Sequence, residues 1–300
     1  MVPMSTITIC EVGPRDGLQN EKTLLSTELK LTLIERAIAS GIRRIEATSF
    51  VHPQRVPQLA DAEQVMAQVP RDRGVTYGGL VLNRRGFERA ARAGVDEVNM
   101  VVIATDTFSE RNQGMTVESS LRAWSEIATE AHAAGIPPSL TIAAAFGCPF
   151  EGEVSPDRVR AVVRQALDSG PAEITLADTI GVGVPTQVTE LVAAVRDLAP
   201  AVALRCHFHN TRNTGYANAV AAINAGVETL DASAGGIGGC PFAPAATGNI
   251  ATEDLVYLLE RMGIGTGVEL RAIAATGRWV GEQLGIEVPA LLGRAGPFPE

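Results

Sequence analysis

The chain has 300 residues, of which 46% are hydrophobic and 20% are charged, and its formal net charge is −9. This composition is typical of a globular protein with a large apolar core, and an acidic balance without a Lys/Arg cluster argues against nucleic acid or an anionic membrane as a partner. No apolar run reaches the roughly 20 residues of a membrane span, and the first residues lack a secretion signal. We therefore expect a cytoplasmic protein, whose four scattered cysteines stay reduced.

The chain repeats one pattern, in which an amphipathic helix ends at a glycine and a short run of β-forming residues follows. Glycine is favoured after a helix because it enters the left-handed region without steric cost. The pattern predicts eight strands, over residues 5–12, 43–49, 75–82, 97–104, 139–146, 173–178, 202–209 and 228–233. It predicts helices over residues 26–39, 58–68, 84–93, 117–134, 155–169, 186–198, 215–225 and 252–262, and a further helix over 268–284.

Alternating strands and helices indicate βαβ units and a parallel sheet. Eight such units predict an α/β fold, a (β/α)8 TIM barrel with an additional C-terminal helix. A doubly wound open sheet is the competing architecture, but no Gly-x-Gly-x-x-Gly turn follows the first strand. No linker-like tract divides the chain, so we expect one domain over residues 1–300. The apolar stripe of the helix over 268–284 predicts packing against the barrel rim or against a second subunit, in a homodimer.

Two histidines, His207 and His209, close the seventh predicted strand. Side chains alternate between the two faces of a strand, so both imidazoles lie on one face and provide two ligands for a divalent metal. Active sites of barrels lie at the C-terminal ends of the strands. There, Arg15 and Asp16 follow the first predicted strand, and Glu46 lies in the second.

Closure of a barrel makes the eighth strand the neighbour of the first. We therefore expect Asp16, the two histidines and the glycine-rich segment 234–240 to meet in one pocket. Each of these also has a purely structural interpretation. Asp16 could belong to an ordinary turn, the histidines could be hydrogen-bonded core residues, and the glycines could only provide tight backbone geometry. We do not expect all three to lack a function together. Asp178, at the end of the sixth strand, fits either the site or the cap of a loop.

The remaining cysteines and histidines have simpler interpretations. Cys10 and Cys206 lie in apolar strand runs, which predicts core positions. Cys148 lies in a loop beside a proline and is interpreted as structural. His52 and His132 are predicted at the surface, because one adjoins a proline and the other lies on a charged helix.

A set of two imidazoles, a carboxylate and an amide oxygen suits Mg²⁺ or Mn²⁺, and also Zn²⁺. Two histidines and one carboxylate also describe a non-haem iron oxygenase site, which usually occurs on a different architecture. The sequence therefore predicts a divalent metal cofactor.

Residues 12–21 and 238–244 together resemble the hallmark segments of the 3-hydroxy-3-methylglutaryl-CoA lyase family. The resemblance extends over nearly the whole chain, through residues 45–51, 146–152, 178–183 and 248–257. It implies retro-Claisen cleavage of a tertiary 3-hydroxyacyl-CoA, which for the family substrate yields acetyl-CoA and acetoacetate.

The resemblance also implies roles for individual residues. By position, the family's metal ligands correspond to Asp16, His207, His209 and Asn249. Arg15 corresponds to the arginine that neutralises the thioester enolate, and Cys240 to the catalytic cysteine of a mobile glycine loop. Asp16 thereby also counts as a catalytic residue, and we expect Glu46 to contribute with Arg15 to binding of the acyl-CoA substrate.

The chain departs from the family pattern after the second histidine. The family usually reads Asp-Thr-Tyr-Gly-Gln there, whereas this chain has Asn-Thr-Arg-Asn-Thr over residues 210–214, and it has Ile237 and Ala245 where the family commonly has Leu and Gly. The asparagine resembles the condensing relatives of the isopropylmalate synthase type, which usually carry further C-terminal sequence. Two alternatives therefore stay open: a condensing acyltransferase, and a non-catalytic barrel that binds CoA or metal.

Overall fold

In the computed structural model, which describes residues 6–239 and 248–299, a closed barrel of parallel strands forms the centre of the protein. The strands of the described residues are β1 (Thr8–Glu11), β2 (Arg44–Ser49), β3 (Thr76–Val81), β4 (Glu97–Ile103), β5 (Pro138–Ala143), β6 (Gly147–Cys148), β7 (Gly152–Glu153), β8 (Glu173–Asp178), β9 (Ala203–Phe208) and β10 (Thr229–Ala232). The barrel runs in the order β1-β10-β9-β8-β5-β4-β3-β2, and β6 and β7 form a separate antiparallel hairpin.

Helices connect successive barrel strands and cover the outside of the barrel. They are α1 (Thr27–Ala39), α2 (Ala62–Met66), α3 (Arg84–Ala93), α4 (Asp106–Gln113), α5 (Val117–Ala133), α6 (Pro156–Leu167), α7 (Pro185–Leu198), α8 (Gly215–Asn224), α9 (Thr252–Arg261), α10 (Leu270–Leu284) and α11 (Leu292–Ala295). Within the described part of the chain, no helix has the length and apolar character needed to cross a membrane.

The predicted (β/α)8 barrel with an additional C-terminal helix is confirmed. All eight predicted strands are present, and β1 pairs with both β10 and β2, which closes the barrel as expected. The helix predicted over 58–68 is shorter, because a 3-10 turn at Pro57–Leu59 precedes α2. The sequence pattern did not predict α4, α11 or the β6–β7 hairpin.

Charged side chains fill the N-terminal end of the barrel interior. Arg44, the first residue of β2, donates from Nε to Glu97 Oε1 at 2.9 Å and from Nη2 to Glu173 Oε1 at 2.7 Å. Glu97 begins β4 and Glu173 begins β8, so these ion pairs span strands that are not neighbours. The bonds therefore cross the barrel interior and fill its base with paired charges.

Helix α10 packs against the rest of this chain. The guanidinium of Arg36 on α1 lies 5.0 Å from the centre of the Trp279 ring. Val280 and Leu284 join a small apolar cluster with residues that include Leu18. The predicted packing at the barrel rim is thus observed for one face of α10, and the homodimer stays a prediction.

Candidate active site

Asp16, His207 and His209 meet at the C-terminal end of the barrel. Asp16 lies in a one-turn π-helix, Gly13–Gly17, just after β1; His207 lies at the end of β9 and His209 follows directly after it. Nε2 of each histidine lies 3.9 Å from Asp16 Oδ2. Candidate ligand atoms of the three side chains all lie within 4.8 Å of one another, so they form a group that could hold a metal ion.

Asn249 joins this cluster through backbone pairing. It forms an antiparallel bridge with His209, and its side-chain Nδ2 donates to Asp16 Oδ2 at 2.9 Å and to the Ile237 carbonyl at 3.0 Å. Asn249 Oδ1 is buried and has no hydrogen-bond partner among residues 6–239 and 248–299. A buried amide oxygen without a partner costs free energy, which a bound cation would offset.

The electrostatics keep Asp16 ionised. Burial by itself would raise the pKa of its carboxyl. The Arg15 guanidinium, the two imidazoles and the hydrogen bond from Asn249 outweigh burial and hold that pKa well below its ordinary value. A carboxylate that stays ionised at neutral pH is available as a cation ligand.

The two imidazoles have different surroundings. His207 Nδ1 lies 3.0 Å from Asp231 Oδ2, and although burial lowers the pKa of His207, this contact and the charges of Asp16 and Asp231 raise it overall. His209 Nδ1 is buried without a hydrogen-bond partner in the described ranges. Burial and the neighbouring His207 lower the pKa of His209 to about 4, so this ring is neutral at pH 7, the form that binds metals.

A chain of hydrogen bonds orients Arg15. Its Nε donates to Glu46 Oε2 at 2.6 Å, and its Nη1 donates to Asp16 Oδ1 at 2.5 Å. Asn99 donates from Nδ2 to the other Glu46 oxygen, Oε1, at 2.9 Å, and Thr141 donates its hydroxyl to Asn99 Oδ1 at 3.0 Å. The side chains of three barrel strands therefore set the direction of one guanidinium.

A cavity of about 340 Å³ opens over this cluster. Arg15, Asp16, both histidines and Asp231 line its polar end. The rest of its lining mixes apolar and polar side chains, with the apolar ones in the majority: Gln19, Asn20, Val51, Arg55, Val56, Leu80, Leu82, Val101, Ile103, Phe108, Asn112, Gln113, Thr141, Ala143, Ala177 and Thr179. A concave, mostly apolar space with a few convergent polar groups is typical of a small-molecule site.

Comparison with known proteins identifies the family. The family model described as HMGL-like matches residues 6–280. The chain belongs to the HMGL-like family. It is 47% identical over 309 residues to the (R)-citramalyl-CoA lyase of Chloroflexus aurantiacus, an alignment that covers 99% of this chain and 97% of that protein.

Other relatives of this HMGL-like chain carry a different substrate name. It is 43% identical to the hydroxymethylglutaryl-CoA lyase of Pseudomonas mevalonii, with 94% of each chain covered. The solved structure of an HMG-CoA lyase from Acinetobacter baumannii, in complex with coenzyme A and 3-methylmalate, superposes with a TM-score of 0.94 at 41% identity, covering 98% of this chain and 96% of that one. The expected family and the expected class of enzyme, a carbon–carbon lyase, are both confirmed.

Cys240 lies outside the described residues of this HMGL-like chain, so its predicted catalytic role stays a prediction. The residues just before it do contact the site. Gly238 has a φ of +110°, and a Cβ there would lie 2.6 Å from Asn249 Nδ2. Asn20 donates from Nδ2 to the carbonyl of Gly239 at 2.7 Å. Positions 238 and 239 of the glycine-rich segment thus pack directly on the Asp16 turn, which only glycine permits at position 238.

Two residues discussed in the sequence analysis, Asp178 and Asn210, form hydrogen bonds with backbone groups of nearby loops. Asp178 accepts hydrogen bonds from the backbone N–H groups of Val182 and Gly183, both at 2.9 Å, so it caps the loop that follows β8. Asn210, in the loop before α8, accepts from the N–H of Gly215, the first residue of that helix, at 3.1 Å. Among the described residues that line the cavity, none comes from residues 210–214. In the described residues, this departure from the family pattern affects the loop between β9 and α8.

The simpler interpretations of the cysteines and the other histidines hold in the described structure. Cys10 and Cys206 are buried in β1 and β9. Cys148 is buried and accepts the hydroxyl hydrogen of Thr105 at 3.1 Å. His52 and His132 are both exposed at the surface of the protein.

Sequence reasoning missed parts of the site that lie inside strands. Asn99, Thr141 and Asp231 are polar residues in otherwise apolar strand runs, and all are buried. The polar residue in an apolar run could have indicated the site, because a buried polar group needs a hydrogen-bond partner.

Helix α4, which lines the cavity through Phe108, was also missed. The glycine just after it, which ends the helix, could have indicated this helix in the sequence.

Proposed function

We propose that this protein is a divalent-metal-dependent lyase that cleaves the C2–C3 bond of a 3-hydroxy-3-methylacyl-CoA carrying a free carboxylate. The observation that supports this most is the cluster of Asp16, His207 and His209, which lies beside Arg15 at the polar end of one cavity. The substrate named for one relative is 3-hydroxy-3-methylglutaryl-CoA and for another (R)-citramalyl-CoA. Both have a thioester, a tertiary C3 hydroxyl with a methyl group, and a carboxylate, and they differ by one methylene.

Asp16, His207, His209 and Asn249 would hold the cation. Two imidazoles, an ionised carboxylate and a buried amide oxygen without a partner in the described part of the chain form a mixed nitrogen and oxygen set that fits Mg²⁺ or Mn²⁺, with Zn²⁺ also suited. A cation bound there supplies Lewis acidity at the oxygen atoms of the substrate.

Arg15 is proposed to stabilise the negative charge that develops on the thioester oxygen when the C2–C3 bond breaks. Burial would lower its pKa, but Glu46 and Asp16 raise it, so the guanidinium stays charged. Because Glu46 and Asn99 hold its direction, Arg15 needs little rearrangement as the charge forms, and preorganised donors of this kind lower reaction barriers strongly.

Glu46 acts in this proposal through Arg15. Both of its carboxylate oxygens accept hydrogen bonds from protein groups, one from Arg15 and one from Asn99. Its contribution to substrate binding is therefore to hold Arg15. The proton that the enolate carbon must take up is assigned, on the family resemblance, to the thiol of Cys240. The cytoplasmic location and the homodimer belong to the same proposal.

The test is incubation of the purified protein and Mg²⁺ or Mn²⁺ with 3-hydroxy-3-methylglutaryl-CoA, with each citramalyl-CoA stereoisomer, and with 3-hydroxybutyryl-CoA as a control that lacks the carboxylate and the branch. Mass detection distinguishes the products, because cleavage releases acetyl-CoA with acetoacetate in the first case and with pyruvate in the second. The variant His207→Ala serves as the inactive control. Failure to cleave either branched substrate would overturn the proposal.

The condensing alternative gives a separate readout in the same preparation. A condensing enzyme would release free CoA from acetyl-CoA in the presence of a 2-oxo acid. Free CoA without any cleavage of the branched thioesters would favour that alternative over the lyase.

A further inference from the structure

Arg205 is a buried charged residue directly beneath the histidine cluster. It lies in β9 two residues before His207, so both side chains point to the same face of the strand. Only 2% of the Arg205 side chain is exposed. A buried guanidinium requires paired acceptors, because the cost of removing it from water is large.

Two carboxylates and a sulfur surround this guanidinium. Arg205 Nε donates to Oδ1 of Asp231, which lies in the neighbouring strand β10. Nη2 of Arg205 donates to Cys10 Sγ at 3.2 Å, and Nη1 lies 3.7 Å from Glu173 Oε1. The contact with Asp231 is the closest of the three, so it sets the position of that carboxylate.

Asp231 divides its two oxygens between Arg205 and the metal cluster. While Oδ1 accepts from Arg205, Oδ2 lies 3.0 Å from His207 Nδ1. A carboxylate at Nδ1 accepts a hydrogen bond from the N–H of that nitrogen, which keeps the proton on Nδ1 and leaves Nε2 with a free lone pair. His207 Nε2 is the atom that faces Asp16, at 3.9 Å from its Oδ2.

We propose that Arg205 is a positioning residue of the metal centre: it holds Asp231 against His207 Nδ1 and thereby keeps His207 Nε2 directed at Asp16. This inference rests on the proposed metal-dependent function. His209 offers the internal contrast, because its Nδ1 has no hydrogen-bond partner in residues 6–239 and 248–299. In this proposal Arg205 therefore orients His207 and not His209.

The test measures Mn²⁺ binding to metal-free protein by calorimetry, without substrate. Loss of a group that orients a metal-bound histidine typically weakens metal affinity by about 10- to 100-fold, and we expect this range for Arg205→Met and for Asp231→Asn. Arg205→Lys, which keeps the charge but loses the planar fork, is expected to show a smaller loss in the same direction.

Lys30→Met is the matched control. Lys30 is a buried cation of α1, outside the barrel, and its ammonium donates to Asp61 Oδ1 at 2.6 Å. Its loss removes a buried ion pair, so stability falls while the affinity for Mn²⁺ stays within about threefold of wild type. An equal loss of affinity in Lys30→Met would show that general destabilisation explains the effect and would overturn the proposal.

A second readout separates positioning from damage to the fold. In Arg205→Met, the Mn²⁺ concentration for half-maximal turnover should rise by about 10- to 100-fold, while kcat at saturating Mn²⁺ returns close to wild type. Wild-type Mn²⁺ affinity in folded Arg205→Met, or in Arg205→Lys if the first variant does not fold, contradicts the proposal. Absence of Mn²⁺ binding in the wild-type protein contradicts the proposed function itself, which is a distinct result.

Discussion

Asn99 donates its side-chain amide to Glu46 Oε1 at 2.9 Å, across two strands that are not neighbours in the barrel. Glu46 in turn accepts from Arg15 on its other oxygen. The guanidinium proposed to bind the enolate is therefore connected to rigid strands, and a site that rests on strands keeps its geometry better than one on loops.

Removing this support should slow the reaction more than it weakens binding. A hydrogen bond to a charged group contributes about 1.5 to 3 kcal/mol, so we expect Asn99→Leu to lower kcat by about tenfold or more with a small change in KM. Thr141→Val, which removes only the hydroxyl that orients Asn99, should lower kcat by about threefold. Ser139→Ala is the control, because this buried hydroxyl of β5 bonds to the Val98 carbonyl instead. Equal losses of kcat in the Thr141 and Ser139 variants would contradict the role of the hydrogen bonds that lead from Thr141 through Asn99 to Glu46.

Arg15 should act on the transition state. Arg15→Lys keeps the charge but loses the planar fork, so kcat should fall by at least about 100-fold, the usual scale for one lost oxyanion donor. Arg55→Lys, at another position lining the cavity, is the comparison variant and should keep most of kcat. Steady-state kinetics decide the matter: near-normal kcat with a raised KM for Arg15→Lys would assign Arg15 to substrate anchoring.

Metal dependence should be absolute. We expect EDTA to abolish activity, Mn²⁺ to restore it, and Asp16→Ala, His207→Ala and His209→Ala to lose tight metal binding, because their candidate ligand atoms converge within 4.8 Å. His132→Ala is the control, since that ring contacts backbone carbonyls at the surface. Metal analysis of dialysed protein, run beside the assay, measures both effects. Full turnover by a metal-stripped sample would refute the mechanism.

Glu11 should make the stability of the protein fall as the pH rises. Burial raises the pKa of its carboxyl to about 7, whereas in the unfolded chain it is about 4.3. Between these values the folded state holds a proton that the unfolded state has released, so the free energy of unfolding decreases with pH across this window and levels off above it. The contribution is on the order of 4 kcal/mol.

The variant Glu11→Gln should therefore flatten the pH dependence of unfolding between pH 5 and 7.5. Its amide oxygen can still accept the N–H groups of Gly13 and Ala234, which both bond to Glu11 Oε1. Glu190→Gln, at an exposed position of α7, is the control and should leave the slope unchanged. Denaturant unfolding at several pH values provides the measurement. A Glu11→Gln slope equal to that of wild type would show that Glu11 titrates normally.

Cys240 should be the cysteine that reacts with alkylating reagents. Glycines precede it in the sequence, whereas Cys10, Cys148 and Cys206 are buried, and burial raises the pKa of the thiols of Cys10 and Cys206. Peptide mapping after brief alkylation should find the label on Cys240, and metal with CoA should protect it. Cys240→Ser should bind ligands but turn over slowly. If an interior cysteine is labelled first, or if Cys240→Ser is fully active, Cys240 is not the proton donor and another group has that role.

The sequence by itself determined the order and type of the barrel elements. Helices that end at glycines and alternate with β-forming runs imply a parallel barrel, because both signals are local and regular. The His207 and His209 pair was visible for the same reason, since two residues on one strand face need no tertiary information. Helix α4 lacks a strong apolar stripe, and the helix was therefore not predicted.

Tertiary structure alone decided which groups support these residues. Asn99 and Glu46 are 53 positions apart and Asn249 and Asp16 are 233 apart, so their contacts depend on barrel closure and on the register of distant strands. The same holds for Asp231, which contacts His207 only because β9 and β10 are adjacent. A side chain's polarity can be read locally, but its partner depends on the direction and depth of another strand, which no local pattern contains.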